Sequence, residues 1–336
     1  MRKVQVVGNS TYVVSLPKNW VKMMGLKQGE EVLIEPLADG SLRVTPLKGV
    51  KDRHASVNIN VACSEDVAVI TRRVVAHYLA GACEVSLKLK GSDCGGLAKV
   101  VARVARDKML GVEVLDEAED SLTLYAVLDR EFTDFITVVR KLFKAAAFMA
   151  EALVAGLEEG REDVLRNVFK RDDIVDKLYL FILRYLTESL MTLKGDLGFT
   201  PPEALHIVLM SKSVERLADH IASIALNSIA LKNRGGLTAL KPVMPLLKDV
   251  PNLLKELTEA FTECDAGKAE EALLHAKEGK RRERDVRGKI LKGGSPPELS
   301  YVLESVRRIY AYAVDVAEAV IDIAAIRSLR ELRTSS

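Results

Sequence analysis

Hydrophobic and polar positions follow two different periods along this chain, and the period changes near Thr133. Before that point, short runs alternate strictly between apolar and polar residues, as in residues 55–63 (ASVNINVAC), which is typical of half-buried strands. After it, apolar residues recur every three or four positions over long segments, which is typical of amphipathic helices. The pattern predicts a strand-containing amino-terminal part followed by an all-helical carboxyl-terminal part.

The first 46 residues contain the signals of a small β-rich module. Residues 11–16 (TYVVSL) form a β-branched run, and Pro17 opens a short helix that Gly25 ends. Because so short a segment buries little core, we expect residues 1–47 to dimerise. Two further strands are predicted at Glu31–Glu35 and Leu42–Thr45. Asp39–Gly40 is the predicted hairpin turn between them.

Residues 55–130 follow a polar, basic linker at Leu47–His54 and predict a small α+β domain. Their order is strand, helix, strand, helix, strand, strand, with Ser64 as the expected N-cap of the first helix. The stretch Gly91–Gly96 precedes the second helix and predicts a plain strand-to-helix loop.

Six long helices are predicted after this domain, and we expect two three-helix bundles in tandem at residues 131–233 and 238–333. A repeated motif supports this division into two bundles. TPPE at Thr200–Glu203 and SPPE at Ser295–Glu298 are each predicted to form a capping box at the start of the third helix of a bundle. The predicted helices lie near residues 132–157, 161–191, 201–231, 240–265, 267–291 and 296–332.

Composition fits a globular protein, with 48% hydrophobic and 29% charged residues among 336. No apolar run is long enough to cross a membrane and the start lacks a signal peptide, so we expect a cytoplasmic protein without membrane insertion. Structural zinc and a disulfide framework are not expected from four scattered cysteines, Cys63, Cys83, Cys94 and Cys264. The net charge is +2, but residues 1–50 hold seven Lys/Arg against four acids, which is +3.

Paired carboxylates mark two helices of the first predicted bundle. Asp172 and Asp176 are four residues apart, as are Glu215 and Asp219, so each pair lies on one helix face. Facing helices would bring the four carboxylates together, and a divalent or trivalent cation such as Mg, Mn, Fe or Zn would neutralise them. Each pair alone is also compatible with a solvated helix surface.

The stretch VERLADHIASIA, residues 214–225, resembles the signature helix of the PhoU family of phosphate-signalling regulators. RDDIVDKLY, residues 171–179, resembles the companion helix. The resemblance implies two three-helix bundles and a metal cluster held by E/D-xxx-D motifs, which correspond to Asp172, Asp176, Glu215 and Asp219. It also implies phosphate transporter subunits or a sensor kinase as partners.

The second bundle departs from that pattern. Arg307 and Ala311 stand where Glu and Asp would be expected, and Arg287 replaces the Asp that would follow Glu283. The resemblance therefore does not extend the metal motif to the second bundle, and the sequence leaves open whether that bundle binds metal. The later acidic pair, Glu318 and Asp322, predicts a solvated surface.

Residues 1–46 resemble the SpoVT/AbrB swapped-hairpin DNA-binding domain through a basic start, the core SLPKNWVKMMGLKQGEEV and the closing Asp-Gly hairpin. The resemblance implies a homodimer with interleaved hairpins. It also implies DNA contacts, mainly to phosphates, and the candidate residues are Arg2, Lys3, Lys18 and Lys22.

Together the two resemblances point to phosphate-uptake regulators of an archaeal type, non-enzymatic and DNA-binding. One alternative is an adaptor for a phosphate transporter or sensor kinase, in which residues 1–47 serve only for dimerisation. Another is a metal-dependent phosphohydrolase, for which the sequence shows no general base, nucleophile or phosphate-binding loop.

Overall fold

The computed structural model confirms the predicted fold class: a β-rich amino-terminal module, a strand-containing middle domain and a helical carboxyl-terminal region. Backbone contacts divide the chain into two units, Met1–His54 and Ala55–Ser336. The structure describes residues 2–8, 10–36, 40–47, 55–91, 94–127, 134–192, 199–234, 236–290 and 296–334.

The first unit consists of two antiparallel hairpins and one short helix. Its elements are β1 (Gln5–Val7), β2 (Thr11–Val13), α1 (Lys18–Met23), β3 (Val32–Pro36) and β4 (Leu42–Pro46). β1 pairs with β2, and β3 pairs with β4. The strand predicted for residues 11–16 is shorter, since it ends at Val13. Gly25 has φ +66°, a left-handed conformation suited to ending α1. Asp39 of the predicted turn lies outside the described residues.

None of the described residues of this unit is buried. Large apolar side chains are instead exposed on its strands and helix; Tyr12, for example, is 75% exposed and Met23 is 73% exposed. The hairpins therefore form no core of their own within one chain.

The second unit begins with a four-stranded sheet covered by two helices. The elements are β5 (Ser56–Ala62), α2 (Val67–Leu79), β6 (Glu84–Lys90), α3 (Cys94–Lys108), β7 (Val112–Glu117) and β8 (Ser121–Ala126). Strand order is β5-β6-β8-β7, with β5 and β6 parallel and the other pairs antiparallel. Inward-facing apolar residues of the strands pack against both helices in one core.

Two expectations for this domain were wrong. Asp66, not Ser64, caps α2, because its carboxylate accepts a hydrogen bond from the amide of Ala68 at 2.7 Å. Cys63 and Cys94 form a disulfide with their Cα atoms 5.2 Å apart. Although 31 residues separate them, the parallel β5–α2–β6 crossover brings the end of β5 beside the start of α3.

Among the described residues, six long helices follow the sheet domain and share one continuous hydrophobic core. They are α4 (Phe135–Glu158), α5 (Glu162–Thr192), α6 (Pro201–Asn233), α7 (Met244–Glu263), α8 (Ala266–Ile290) and α9 (Pro297–Thr334), with a 3₁₀ turn at Leu237–Leu240. α6 packs along α9, and α4 packs along α7, so these two contacts join the first three helices to the last three. No helix in the described part of the chain has the length and hydropathy needed to cross a membrane.

Capping explains where α6 begins. The hydroxyl of Thr200 accepts from the amide of Glu203, and the Glu203 carboxylate accepts from the amide of Thr200, so the predicted capping box is present. The same carboxylate, fully buried, accepts from Arg327 Nε at 2.5 Å and thereby ties α6 to the end of α9. Ser295 of the second predicted box lies outside the described residues.

A buried arginine attaches the sheet domain to the first bundle. Arg184 of α5 is 2% exposed, and its Nη1 donates to the carbonyls of Tyr78 at 2.6 Å and Ala82 at 2.7 Å. Its Nη2 lies 2.8 Å from Glu188. These carbonyls close the end of α2, where a cation also interacts favourably with the helix dipole. Gly81 (φ +93°) fits closely, because a Cβ there would lie 2.8 Å from Glu188 Cγ.

Candidate metal centre

α5 and α6 bring the predicted carboxylates of the first bundle together. Asp176, Glu215 and Asp219 place one carboxylate oxygen each within 4.8 Å of the others. Asp172, one turn before Asp176, lies close enough to Asp219 for their charges to interact. We call these four residues the acidic cluster. Sequence spacing placed each pair on one face, and the packing of the two helices makes the faces meet.

Burial and mutual repulsion raise the pKa values of Asp172, Glu215 and Asp219. Burial first, and then the charges of Asp219, Asp176 and Glu215, raise the pKa of Asp172 to about 7. Burial is also the main cause of the raised pKa values of Glu215 and Asp219, with Asp176 adding to both. The site therefore holds negative charge at a free-energy cost that a cation would relieve.

Three basic side chains surround the acidic cluster. Lys212 Nζ lies 2.7 Å from Glu215 Oε1, and Arg216 Nη1 lies 3.5 Å from Asp219 Oδ2. Lys108 reaches it from the sheet domain, with Nζ 3.7 Å from Asp176 Oδ2. Sequence reasoning did not identify Lys108 or Lys212. Lys212 could have been found from its helical spacing to the acids, whereas Lys108 is more than 60 residues away in the chain.

The donor set of the acidic cluster fits a metal ion. Asp172 Oδ1 and Glu215 Oε2 are buried oxygens without a hydrogen-bond partner among the described residues. Carboxylate oxygens suit Mg and Mn, and they also occur in Fe and Zn sites. His220 turns away from the cluster, since its Nδ1 lies 3.4 Å from Ser305 Oγ and its ring stacks on Tyr312.

The corresponding region of the second bundle contains ion pairs between arginines and glutamates. Arg287 Nε donates to Glu283, which is 1% exposed, at 2.8 Å. Arg287, Arg307 and Arg308 all contact Glu304. Within the described residues, the acidic cluster of α5 and α6 is the one group of three or more potential metal ligands. Of the late acidic pair, Glu318 is exposed and Asp322 pairs with His206 at 3.2 Å.

The predicted DNA-contacting residues are all exposed in the first unit. Lys18 and Lys22 lie one turn apart on α1, and Arg2 Nη1 donates to Ser15 Oγ at 2.8 Å. Lys3 lies just before β1. Trp20, also on α1, is partly buried.

Two family models match this chain. Residues 139–227 match the PhoU domain, which spans both helices of the acidic cluster. Residues 5–52 match "Antidote-toxin recognition MazE, bacterial antitoxin". The matches confirm the predicted resemblances to PhoU and to an AbrB-like amino-terminal domain. No curated protein matches the chain.

Two solved PhoU structures align with more than half of this chain. PhoU from Pseudomonas aeruginosa aligns with a TM-score of 0.49 and 17% identity, over 58% of this chain and 96% of that one. The phosphate transport system regulatory protein PhoU from Streptococcus pneumoniae aligns with a TM-score of 0.46 and 16% identity, over 56% and 91%. The family matches, rather than these distant likenesses, support the proposals that follow.

Proposed function

We propose that this protein is a homodimeric regulator of phosphate uptake, with a metal-binding helical region and a DNA-binding amino-terminal module. The observation that carries the proposal is that the residues matched to the PhoU domain, 139–227, include all four residues of the acidic cluster. The carboxylates have a binding role in this proposal, not a catalytic one. Deleting the gene in the source organism should change phosphate uptake or its response to phosphate supply; unaltered uptake in both conditions would contradict it.

Metal binding is supported by the converging carboxylates, by the raised pKa values of Asp172, Glu215 and Asp219, and by the two buried oxygens that have no hydrogen-bond partner among the described residues. Elemental analysis of the purified protein should find bound metal, and the double variant Asp176→Ala, Asp219→Ala should lose it. The matched control is Glu162→Ala, Asp163→Ala, which removes two acids from the first turn of α5 outside the cluster. Equal metal content in both double variants would reject the site.

Dimerisation is supported by the lack of any buried residue among those described in the first unit. Apolar side chains such as Tyr12 and Met23 would be covered if the hairpins of two protomers interleaved. Light scattering should give twice the chain mass, and deletion of residues 1–47 should change that mass or lower the dimer's stability. A full-length monomer at micromolar concentration would be inconsistent with the proposal.

DNA binding is supported by the exposed basic residues Arg2, Lys3, Lys18 and Lys22. Phosphate contacts make affinity fall with salt, so each lost contact should reduce the slope of log K against log salt by about 0.9. Lys18→Ala and Lys22→Ala should each show this reduction, with Lys27→Ala as an exposed control outside α1. Salt slopes unchanged in both α1 variants would reject these residues as contacts.

The adaptor function remains the second candidate, and the small charge of +3 in residues 1–50 favours it. In that case the amino-terminal module would only dimerise, while the helices bind a phosphate transporter or sensor kinase. Co-purification with transporter subunits, combined with no gel shift at low salt, would select the adaptor. A salt-dependent shift that disappears on deletion of residues 1–47 would select the DNA-binding protein.

A further inference from the structure

The two helical bundles contain corresponding ion pairs of opposite charge. When residues 305–312 (SVRRIYAY) are placed on residues 213–220 (SVERLADH), Arg307 corresponds to Glu215 and Glu304 corresponds to Lys212. Lys212 contacts Glu215 at 2.7 Å, and Glu304 contacts Arg307 at 2.5 Å, both across three residues. The positions that collect carboxylates in the first bundle therefore collect guanidinium groups in the second.

Three guanidinium groups converge on the single carboxylate of Glu304. Arg307 binds it through two nitrogens, Nε at 3.0 Å and Nη2 at 2.5 Å. Arg308 Nε donates at 3.0 Å, and Arg287 Nη2 lies 3.5 Å away. We call Arg287, Arg307 and Arg308 the arginine cluster. The side chain of Glu304 is 41% exposed, so solvent and solutes reach it.

The arginine cluster has excess positive charge. Glu304 and the buried Glu283 supply two negative charges against three arginines, and Arg287 Nη2 is a buried nitrogen without a hydrogen-bond partner among the described residues. The hydrogen bond from Arg307 is the largest of the effects that lower the pKa of Glu304 to about 2.

We propose that the arginine cluster is a binding site for a tetrahedral oxyanion, inorganic phosphate, which displaces the carboxylate of Glu304. Guanidinium groups bind phosphate and carboxylate with the same two-pronged hydrogen bonding, so Glu304 occupies the place of the ligand. The choice of phosphate among oxyanions rests on the proposed function; the existence of the site rests on the geometry alone. Phosphate would thus bind to the same chain as the metal, in the other bundle.

Competition by Glu304 gives the proposal its sharpest test. Calorimetric titration of inorganic phosphate into the metal-stripped full-length protein should show saturable binding, and Glu304→Gln should tighten it by about tenfold. Chelation is needed because a metal in the acidic cluster could itself bind phosphate. The control Glu278→Gln removes a carboxylate that pairs with Arg281 elsewhere on α8, and it should leave the affinity unchanged.

The arginine side of the site is tested by Arg308→Ala, which should weaken phosphate binding by about tenfold or more. Arg308 is 47% exposed and contacts no buried acid, so the variant should fold; Arg281→Ala is its matched control. No saturable binding in the millimolar range, or Glu304→Gln without effect, would overturn the site. Equal binding of sulfate would overturn the choice of phosphate. Because the titration needs no DNA, transporter or metal, its failure would leave the regulatory proposal standing.

Discussion

Lys108 Nζ, at the end of α3, lies 3.7 Å from Asp176 Oδ2 in the first helical bundle. The sheet domain thus contributes a positive charge to the acidic cluster, where it would compete with a bound cation. This contact gives residues 55–127 a direct link to the proposed metal centre.

Lys108→Ala should therefore tighten metal binding. Removing the competing ammonium leaves the carboxylates more negative, and a half-exposed ion pair of this kind is worth up to about 1 kcal/mol, so the Kd for Mn²⁺ should fall about two- to fivefold. Calorimetric titration measures the change. Lys99→Ala, an exposed lysine on the same helix, is the control and should have no effect. Weaker Mn²⁺ binding by the Lys108 variant would show that Lys108 supports the site instead.

Arg184→Ala should destabilise the second unit strongly. Removal of this guanidinium takes one donor each from the carbonyls of Tyr78 and Ala82 and breaks the buried ion pair with Glu188, which costs about 3–5 kcal/mol. Urea unfolding measures the loss. Arg166→Ala breaks an exposed pair with Glu162 on the same helix and should cost less than about 0.5 kcal/mol. Similar losses in the two variants would contradict the role of Arg184 as the anchor of the sheet domain.

Cys63→Ser should also lower stability, since the disulfide closes a long loop. Cross-linking residues 31 apart restricts the unfolded chain, and the chain-entropy relation gives about 3–4 kcal/mol for this separation. Cys83→Ser, which removes a free thiol, is the control. Mass spectrometry after alkylation without reductant should find a peptide pair joining Cys63 and Cys94. Full alkylation of both thiols in protein isolated without reductant would contradict the disulfide.

Local signals in the sequence predicted most elements and their order. The capping box at Thr200 placed the start of α6, and Gly25 placed the end of α1, because a cap is set by residues within one turn. The prediction of Ser64 as the cap of α2 was wrong because Asp66, two residues later, offers an equally good acceptor. Choosing between two acceptors needs the backbone geometry of the turn.

Contacts between distant segments could not be predicted in the same way. The carboxylates of the acidic cluster were identified because each pair repeats at four residues, but Lys108 and the Cys63–Cys94 bond depend on how whole elements pack. Glu203 was identified as a cap only, and its second partner, Arg327, lies 124 residues away. Pairwise spacing contains no information on which helix ends meet.

Glu203→Gln should destabilise the protein in a pH-dependent manner. Burial alone would raise the pKa of Glu203, but hydrogen bonds from Arg327 and Thr200 hold it below its ordinary value. The ionised group therefore stabilises the fold above its ordinary pKa of 4.5, and this contribution is lost as pH falls through the lower folded-state value. At neutral pH the variant should lose about 3 kcal/mol, and the difference should shrink in acid. Denaturant unfolding at several pH values measures this, with the partly exposed Glu162→Gln as control. A pH-independent difference would be inconsistent with this mechanism.

Asp172→Asn should have the opposite effect in the metal-free protein. Because the pKa of Asp172 is raised to about 7, its ionised form destabilises the fold, and stability is gained as pH falls through that value. The neutral amide removes this penalty, so the variant should be more stable than the wild type at about pH 8, by on the order of 1 kcal/mol. The difference should shrink as pH falls from about 7 towards the ordinary pKa of 3.8. In saturating Mn²⁺ the wild type should instead be more stable than Asp172→Asn, since the metal stabilises only a protein that retains its ligands.

Asp173→Asn changes an exposed acid beside Asp172 and serves as the control. Thermal unfolding without and with Mn²⁺ tests the two expected orders of stability. If Asp172→Asn is less stable than the wild type at pH 8 without metal, the repulsion on which the metal proposal rests is contradicted.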